Sequence, residues 1–494
     1  MISLNTIKNR ISEIKKSDFT SKVIGGTFFL TAGTVISKVL IAVAYIILAR
    51  ILTPEEYGEY GMIKSTIDNF LILATMGIGL TTTKYISENK SNNPQLASGI
   101  LGTALGTVLI LGLIVGGFFF VFSDYIAINL LKSETLQPLL KYAALILVLT
   151  AFNSIQLGAL LGLQGFRSTS ISNIAQGLLL SLGLIIGGYI NGVKGAVLGN
   201  LIGIIVLSFV IQYLLKKENS KFNIRVKFNS WRRDLRIIYK FALPASLSSL
   251  ITSPAIWILN MLLVRTENGY EQLGIYSAVI IFSTAIQMLN GSLNNVLLPI
   301  FLSGETEVTP KREFFNYFSA WILAIIIGLP LIVFPELVTY IIGDKYPKET
   351  VVTVLGLTLI STLIIANRQG VSRDLIMKNK MWLSVFSMGQ WALTAIVLFY
   401  FMKNKNAIGF AASMSISYFI NLLLFIPFFV KMKISPSYIF YSKWVILIWI
   451  CLITLIFVNQ NMIIAYRFLL SIGFLILLIL SFKKLYVQNA SKVV

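Results

Sequence analysis

The chain has 494 residues, of which 56% are hydrophobic and 12% charged, with a formal net charge of +21. Globular soluble chains carry about 25% charged residues, so composition excludes a soluble fold and, with it, a nucleic-acid surface as the reason for the basic excess. The single cysteine, Cys451, excludes an internal disulfide, and the absence of histidine removes imidazole as metal ligand or proton shuttle.

Apolar runs of roughly 20 residues recur from end to end, each long enough to cross a hydrocarbon core of about 30 Å. Lipid offers no partner for backbone polar groups, so these runs must be α-helices. Their length and lack of strict alternation argue against a β-barrel. Six spans come first, at about 24–48, 62–83, 97–122, 140–163, 171–189 and 195–215. A basic connection, 216–239, precedes six more, at about 240–264, 275–299, 315–342, 350–367, 381–402 and 407–430. Two further spans, 443–459 and 463–482, end the chain. The expected fold is therefore an all-α polytopic membrane protein of about 14 transmembrane helices. Its expected parts are a six-helix bundle over 1–215, a cytoplasmic linker over 216–239, a second bundle over 240–430, and two additional helices with a tail over 431–494.

Two helix–turn–helix units echo each other. The first span runs into Arg50-Ile-Leu-Thr-Pro-Glu-Glu-Tyr-Gly-Glu-Tyr60, and the seventh into Arg265-Thr-Glu-Asn-Gly-Tyr-Glu-Gln-Leu-Gly-Ile-Tyr276. Glu55, Gly58 and Tyr60 match Glu271, Gly274 and Tyr276 at a constant offset of 216, with Arg50 and Arg265 one residue out of that register. One helical unit used twice is the plan of a carrier that rocks two halves about a central site.

Fourteen spans leave both termini on one side. Lys and Arg number 29 on that side against 10 on the other, with two inside spans. Basic residues stay cytoplasmic, so both termini are expected inside, and the acidic turns at 53–60 and 266–272 outside. Residues 1–23, with Lys8, Arg10, Lys15, Lys16 and Lys22, read as a cytoplasmic segment rather than a cleaved signal. No connection is long enough for a soluble domain, so function must reside in the spans and their turns.

Lys38 is the most expensive residue of the chain. It sits about ten residues from the ends of its span, and an ammonium there costs at least about 2.5–3.5 kcal/mol. It should face water or an anionic partner; the alternative is a structural lysine paired with a neighbouring carboxylate. Lys64 and Asp68 share a helix face four residues apart. They form either an ion pair near the interface or a polar cavity wall in which Asp68 is the candidate for ion coupling. Glu336 falls inside the ninth span, close enough to its outer end for the carboxylate to meet the interface. Arg50 and Arg265 end matched helices, and an arginine fork suits phosphate, although interfacial anchoring explains such positions equally well. The amides Asn153 and Gln156, Asn260, and Gln287, Asn290, Asn294 and Asn295 can bond sugar hydroxyls or join helices. Glycines spaced four apart, such as Gly195/Gly199/Gly203, point to close helix packing. Pro244, Pro254 and Pro330 are the expected bends. The sequence has neither a Walker A pattern nor a Cys/His metal cluster, and no cofactor is expected.

The segment Ala49–Tyr60, with Leu163-Gln-Gly-Phe-Arg167 after the fourth span and its partial repeat Gln369-Gly370 after the tenth, resembles the polysaccharide (Wzx-type) flippases of the multidrug/oligosaccharidyl-lipid/polysaccharide exporter superfamily. The resemblance implies two six-helix bundles about a central cavity, with two extra C-terminal helices. It implies a non-enzymatic flippase that moves undecaprenyl-diphosphate-linked oligosaccharide across the bacterial cytoplasmic membrane by alternating access. Lys38, Arg50, Lys64 and Arg265 are the cations available for the diphosphate, with Asn153, Asn260, Gln287 and Asn290 for the glycan. Expected partners are the lipid-linked oligosaccharide, membrane lipids and polysaccharide-assembly proteins, with no nucleic acid and no metal. The alternatives are a multidrug or cation exporter or a peptidoglycan-precursor flippase of the same superfamily and, from a different class, an integral membrane glycan polymerase.

Overall fold

The computed structural model describes residues 18–227, 231–302, 309–378, 380–458 and 464–493. They form sixteen principal helices. The N-terminal series is α1 (Asp18–Ile51), α2 (Pro54–Thr75), α3 (Ile78–Asn89), α4 (Pro94–Val121), α5 (Leu136–Gly162), α6 (Phe166–Ser220) and α7 (Trp231–Val264). It continues with α8 (Gly269–Leu302), α9 (Pro310–Val333), α10 (Glu336–Ile342), α11 (Lys348–Asn367) and α12 (Gln369–Met377). The chain closes with α13 (Met381–Met402), α14 (Asn406–Lys431), α15 (Lys443–Val458) and α16 (Ile464–Val493). No strand occurs among the described residues. Nine described segments are long and apolar enough to cross a membrane, or ten with the bent pair α2–α3, and two of them exceed 50 residues and fold back on themselves. This is the expected all-α polytopic membrane architecture, and its helices are consistent with fourteen crossings. The side chains of Lys22 and Asn295, and the basic residues Lys8, Arg10, Lys15 and Lys16, lie outside the described residues.

Local chemistry sets the boundaries. Between α1 and α2, Thr53 and Glu56 form a reciprocal capping box. The Thr53 amide donates to Glu56 Oε2 at 2.8 Å, and the Glu56 amide to Thr53 Oγ1 at 3.2 Å. Asn93 caps α4 at the Leu96 amide, with Pro94 at the first helical position. Thr309 does the same for α9. The expected second span is broken at Met76–Gly77 into two helices bent by 46°. Gly77 has φ +71° and lies tight against the Ala242 carbonyl, a place only glycine fills without strain. The expected ninth span is likewise interrupted, at Phe334–Pro335 between α9 and α10.

The chain divides into two compact units, the first holding residues 1–44, 66–128 and 133–246, the second 45–65, 129–132 and 247–494. The boundary thus falls inside α7, and the basic connection 216–239 belongs to the first unit. There the Arg225 amide donates to Ser98 Oγ at 3.1 Å, and Ile224 and Ile238 enter the core. That core joins Leu101, Ala104 and Val108 of α4 to Ala151, Ile155 and Ala159 of α5 and Leu207 and Ile211 of α6. Glycine lets backbones touch. A methyl on Gly158 would lie 2.6 Å from the Gly79 carbonyl, and Thr83 Oγ1 donates to the Gly158 carbonyl at 2.9 Å. α6 reverses at Asn191–Gly192, and its two limbs meet through Gly183 against Gly199 and Gly187 against Gly195. The glycine spacing read from the sequence is thus one side of an antiparallel helical hairpin.

The second unit contains the end of α1 and the start of α2. Its tightest contact is reciprocal. A Cβ on Gly58 would fall 1.8 Å from the Tyr270 carbonyl, and one on Gly274 would fall 1.8 Å from the Pro54 carbonyl. Gly61 meets Ser277 in the same register. Each residue thus packs against the region of its own mate at offset 216, the signature of a local two-fold contact. Farther along, α16 docks on α9 through Phe482 against Phe314, Phe318 and Trp321. Arg467 of α16, buried, pairs with Glu336 of α10 at 2.5 Å, so the acid expected near the interface has a cationic partner.

Gly58→Ala and Gly274→Ala should each lower the thermal unfolding midpoint of the detergent-purified protein, by the equivalent of about 1–3 kcal/mol for overpacking. Gly117→Ala, where nothing lies within 4 Å, should leave it unchanged or raise it, since alanine is the better helix former by about 1 kcal/mol.

Candidate functional site

Within the first unit, α1 packs on the first limb of α6. Ser170 Oγ donates to the Phe29 carbonyl at 2.8 Å, Asn173 to Thr34 Oγ1 at 2.9 Å, and Gly177 seats Ser37. Lys38, next to Ser37, is half-buried, and no hydrogen bond or ion pair joins it to a described residue. On α5, Asn153 is buried with both amide atoms unsatisfied among the described residues. Gln156, fully buried, donates to Gln212 Oε1 and keeps its own oxygen unsatisfied. Asp68 is exposed on α2.

Within the second unit, Arg50 spends its fork on backbone. Its Nε and one terminal nitrogen donate to the carbonyls of Ile341 and Tyr340, each at 2.6 Å, closing the C-terminal turn of α10. Lys345 returns the arrangement by donating to the carbonyls of Arg50, Ile51 and Leu52 at the end of α1. Arg50 thus acts here as a clamp between helix ends. The Lys64 ammonium lies over the Tyr45 ring, 5.5 Å from its centre. Arg265 lines a cavity of about 440 Å³ with Glu267, Tyr400 and Lys403. Asn260 is buried and donates to Ser65 Oγ at 2.7 Å, the helix-joining use of an amide.

Gln287 and Asn290 converge with Ser372 and Arg373, which sequence reasoning did not single out. With Asn294 they form one wall of a cavity of about 330 Å³, whose other wall is Gln369, Ser372 and Arg373 of α12. Gly370 makes this wall possible. A Cβ there would meet the Asn316 carbonyl at 2.6 Å, so α12 presses onto α9 and Arg373 reaches across. Its Nε donates to Asn316 Oδ1 at 2.8 Å, one terminal nitrogen to Asn294 Oδ1 at 3.0 Å, and the other to the Asn316 carbonyl. Asn316 in turn donates to Asp374 Oδ1 at 3.0 Å, and Tyr317 donates its hydroxyl to the other Asp374 oxygen. Arg373 and Asp374 are 1% and 3% exposed, a buried pair joined through one amide. Two acceptors on the cavity wall, Asn290 Oδ1 and Gln369 Oε1, have no donor among the described residues. A buried carbonyl oxygen without a donor costs about 1–3 kcal/mol, a cost that a water or a ligand hydroxyl reaching it would remove.

Arg368, one residue before α12, plays a different part. It donates to Asn421 Oδ1 and to Ser387 Oγ at 3.0 Å, tying α13 and α14 together. By hydropathy Arg368 and Arg373 fall in the connection between the expected spans 350–367 and 381–402. In the structure the helix resumes at once and draws them into the protein. The Gln369-Gly370 echo was the available signal.

Comparison with known proteins fixes the family. The sequence profile of the polysaccharide biosynthesis protein family matches residues 23–305. A curated relative, the EPS I polysaccharide export inner membrane protein EpsE of Ralstonia solanacearum, is 23% identical over 282 residues. That alignment takes in 57% of this chain and 64% of the relative. Among solved structures, the lipid II flippase MurJ in an inward closed conformation aligns with a TM-score of 0.64 at 16% identity, over 94% of this chain and 98% of that one. An inward-facing multidrug resistance MATE transporter of the MOP superfamily aligns at 0.61 and 19% identity, over 82% and 96%. At these identities the two structures establish a shared fold. With the family profile covering more than half of the sequence, this polytopic helical chain belongs to the polysaccharide biosynthesis protein family.

Proposed function

We propose that the protein is a flippase that moves an undecaprenyl-diphosphate-linked oligosaccharide across the cytoplasmic membrane for surface polysaccharide synthesis. The carrying observation is the chemistry of the second unit's cavity: amides, a hydroxyl and a buried arginine, with two carbonyl acceptors awaiting donors. Sugar hydroxyls donate to such acceptors, and Arg373, its three nitrogens bonded to Asn316 and Asn294, holds the wall that presents them and adds positive charge behind it. Lys38 adds a partly buried cation without a protein counter-ion among the described residues, and Asn153 an unsatisfied amide, on the first unit. Each unit thus offers groups for a ligand that is anionic at one end and rich in hydroxyls at the other. Alternating access moves this ligand while its isoprenoid tail stays in lipid. Family membership and the polysaccharide export relative support this reading.

A multidrug or cation exporter calls for carboxylates toward its ligand. Among the described residues no acid lines the amide cavity, and Asp374 bonds to Asn316 and Tyr317. A peptidoglycan-precursor flippase shares the ligand chemistry, and the MurJ-like fold favours it as the second reading. A glycan polymerase would alter its lipid substrate, whereas the flippase leaves it intact.

Deleting the gene should abolish surface polymer and trap lipid-linked repeat units on the cytoplasmic face, read by lipid extraction and protease-free surface labelling. Normal surface glycan would overturn the reading, and arrest of cell-wall synthesis instead would favour the second one. In complementation, Arg373→Gln and Lys38→Ala should each cut polymer output roughly 10–100-fold at unchanged membrane levels, the worth of a charge-assisted hydrogen bond of about 1.5–3 kcal/mol. Full output from either variant removes that residue from the transport path.

A further inference from the structure

Arg368 carries a charge that no carboxylate balances among the described residues. Other arginines of the second unit have an anionic or dipolar counterpart. Arg373 meets Asp374 through Asn316, Arg467 meets Glu336, and Arg50 closes the negative end of a helix. The bonded partners of Arg368 are neutral: Asn421 Oδ1 and Ser387 Oγ, with the Phe429 ring centre 5.8 Å from its guanidinium carbon. The amide it meets is already saturated. Asn421 Oδ1 also accepts from Ser387 Oγ at 3.0 Å, and its nitrogen donates to the Ser387 carbonyl at 2.7 Å and to Gln390 Oε1 at 2.5 Å. A guanidinium offers five N–H donors. One on each terminal nitrogen is spent here, and Nε has no partner among the described residues. A partly buried charge answered by neutral dipoles alone is costly.

Arg368 lines a cavity of about 80 Å³. α12 lends it Ser372, α13 lends Ser384 and Met388, and α14 lends Tyr418 and Phe429. The Ser372 and Ser384 hydroxyls have no bond to a described residue, and no acid lines the space among the described residues. A cation with free hydroxyl donors around it selects an anion; a second cation would meet only repulsion. Size selects further. A water takes roughly 30 Å³ of the liquid, so the space admits a monatomic ion with a water or two and excludes a sugar phosphate or a lipid head. We propose that this cavity binds one chloride ion, held by the free N–H groups of Arg368 and by the hydroxyls of Ser372 and Ser384. The ion is then the missing counter-charge at the joint between α11 and α12. Ile365 and Ser372 line this cavity and the amide cavity alike, so the ion steadies the joint that carries the amide wall. The site stands apart from the transport reading, since its occupancy is measured with no glycan present.

The test uses the full-length purified protein in sodium gluconate, with chloride replacing gluconate at constant ionic strength. The linewidth of the chloride NMR signal reports binding, and the thermal unfolding midpoint reports its effect on the protein. The wild type should show saturable broadening and a midpoint that rises over the same chloride range. Arg368→Gln should raise the half-saturating chloride concentration about tenfold, the worth of one charge-assisted hydrogen bond. Because Arg368 also ties α13 to α14, two variants that leave this tie intact accompany it. Ser384→Ala should weaken chloride about two- to tenfold, the worth of one hydrogen bond. Ser384→Asp supplies a fixed carboxylate: it should abolish the saturable broadening and hold the midpoint in gluconate at the level the wild type reaches in chloride. Bromide in place of chloride should give an anomalous scattering peak beside the Arg368 guanidinium in crystals. Broadening that rises linearly without saturation in the wild type, or saturable broadening that Ser384→Ala and Ser384→Asp both leave unchanged, would overturn the proposal.

Discussion

Between helices in a bilayer there is no hydrophobic force to spend, because lipid tails are as apolar as leucine; close packing and polar bonds have to hold the bundle. This constraint explains where the small residues of the chain lie. Gly158 and Gly162 bring α5 against α3, Gly183 and Gly187 bring one limb of α6 against Gly199 and Gly195 of the other, and Gly58 and Gly274 bring two backbones into carbonyl contact. Each of these pairs uses a missing Cβ to gain dispersion contacts that larger residues gain in soluble cores by burying area.

The same constraint governs the polar groups. With no water in the lipid to receive them, many of the buried ones bond within the protein. Arg50 closes a helix end, Arg368 ties two helices, Arg467 meets Glu336, and Arg373 reaches Asp374 through Asn316. These arginines serve four tasks that charge alone would not separate. Other polar groups are not bonded in full: Lys38, Asn153, Gln156, Asn290 and Gln369 are among the residues that keep atoms without protein partners among the described residues, and Asn290 and Gln369 line the amide cavity.

Hydropathy made the helices legible, because the lipid core demands about 20 apolar residues per crossing. The repeat was legible too. The offset that aligns Gly58 with Gly274 is the offset at which they touch, since a duplicated unit that packs on its copy repeats its small residues at the contact. The break at Met76–Gly77 was not legible, because no proline marks it and a lone glycine inside an apolar run carries no unique sign. Arg373 and Asp374 were hidden for a different reason. Counting charges outside the apolar runs assigns them to a connection, whereas α12 continues the helix and buries both. Amides such as Gln287 and Asn290 were visible as residue types, but Asn260, of the same type, turned out to bond Ser65; only packing separates the two uses.

The central claim is movement of an intact lipid-linked glycan. Its most direct measurement is reconstitution of the purified protein into vesicles carrying a labelled undecaprenyl-diphosphate oligosaccharide in the inner leaflet, followed by access of an outside lectin to the sugar. The account predicts protein-dependent appearance of unaltered glycan on the outer face, strongly reduced by Arg373→Gln. Glycan that stays inside whether or not the protein is present, or that emerges polymerised or cleaved, would contradict it.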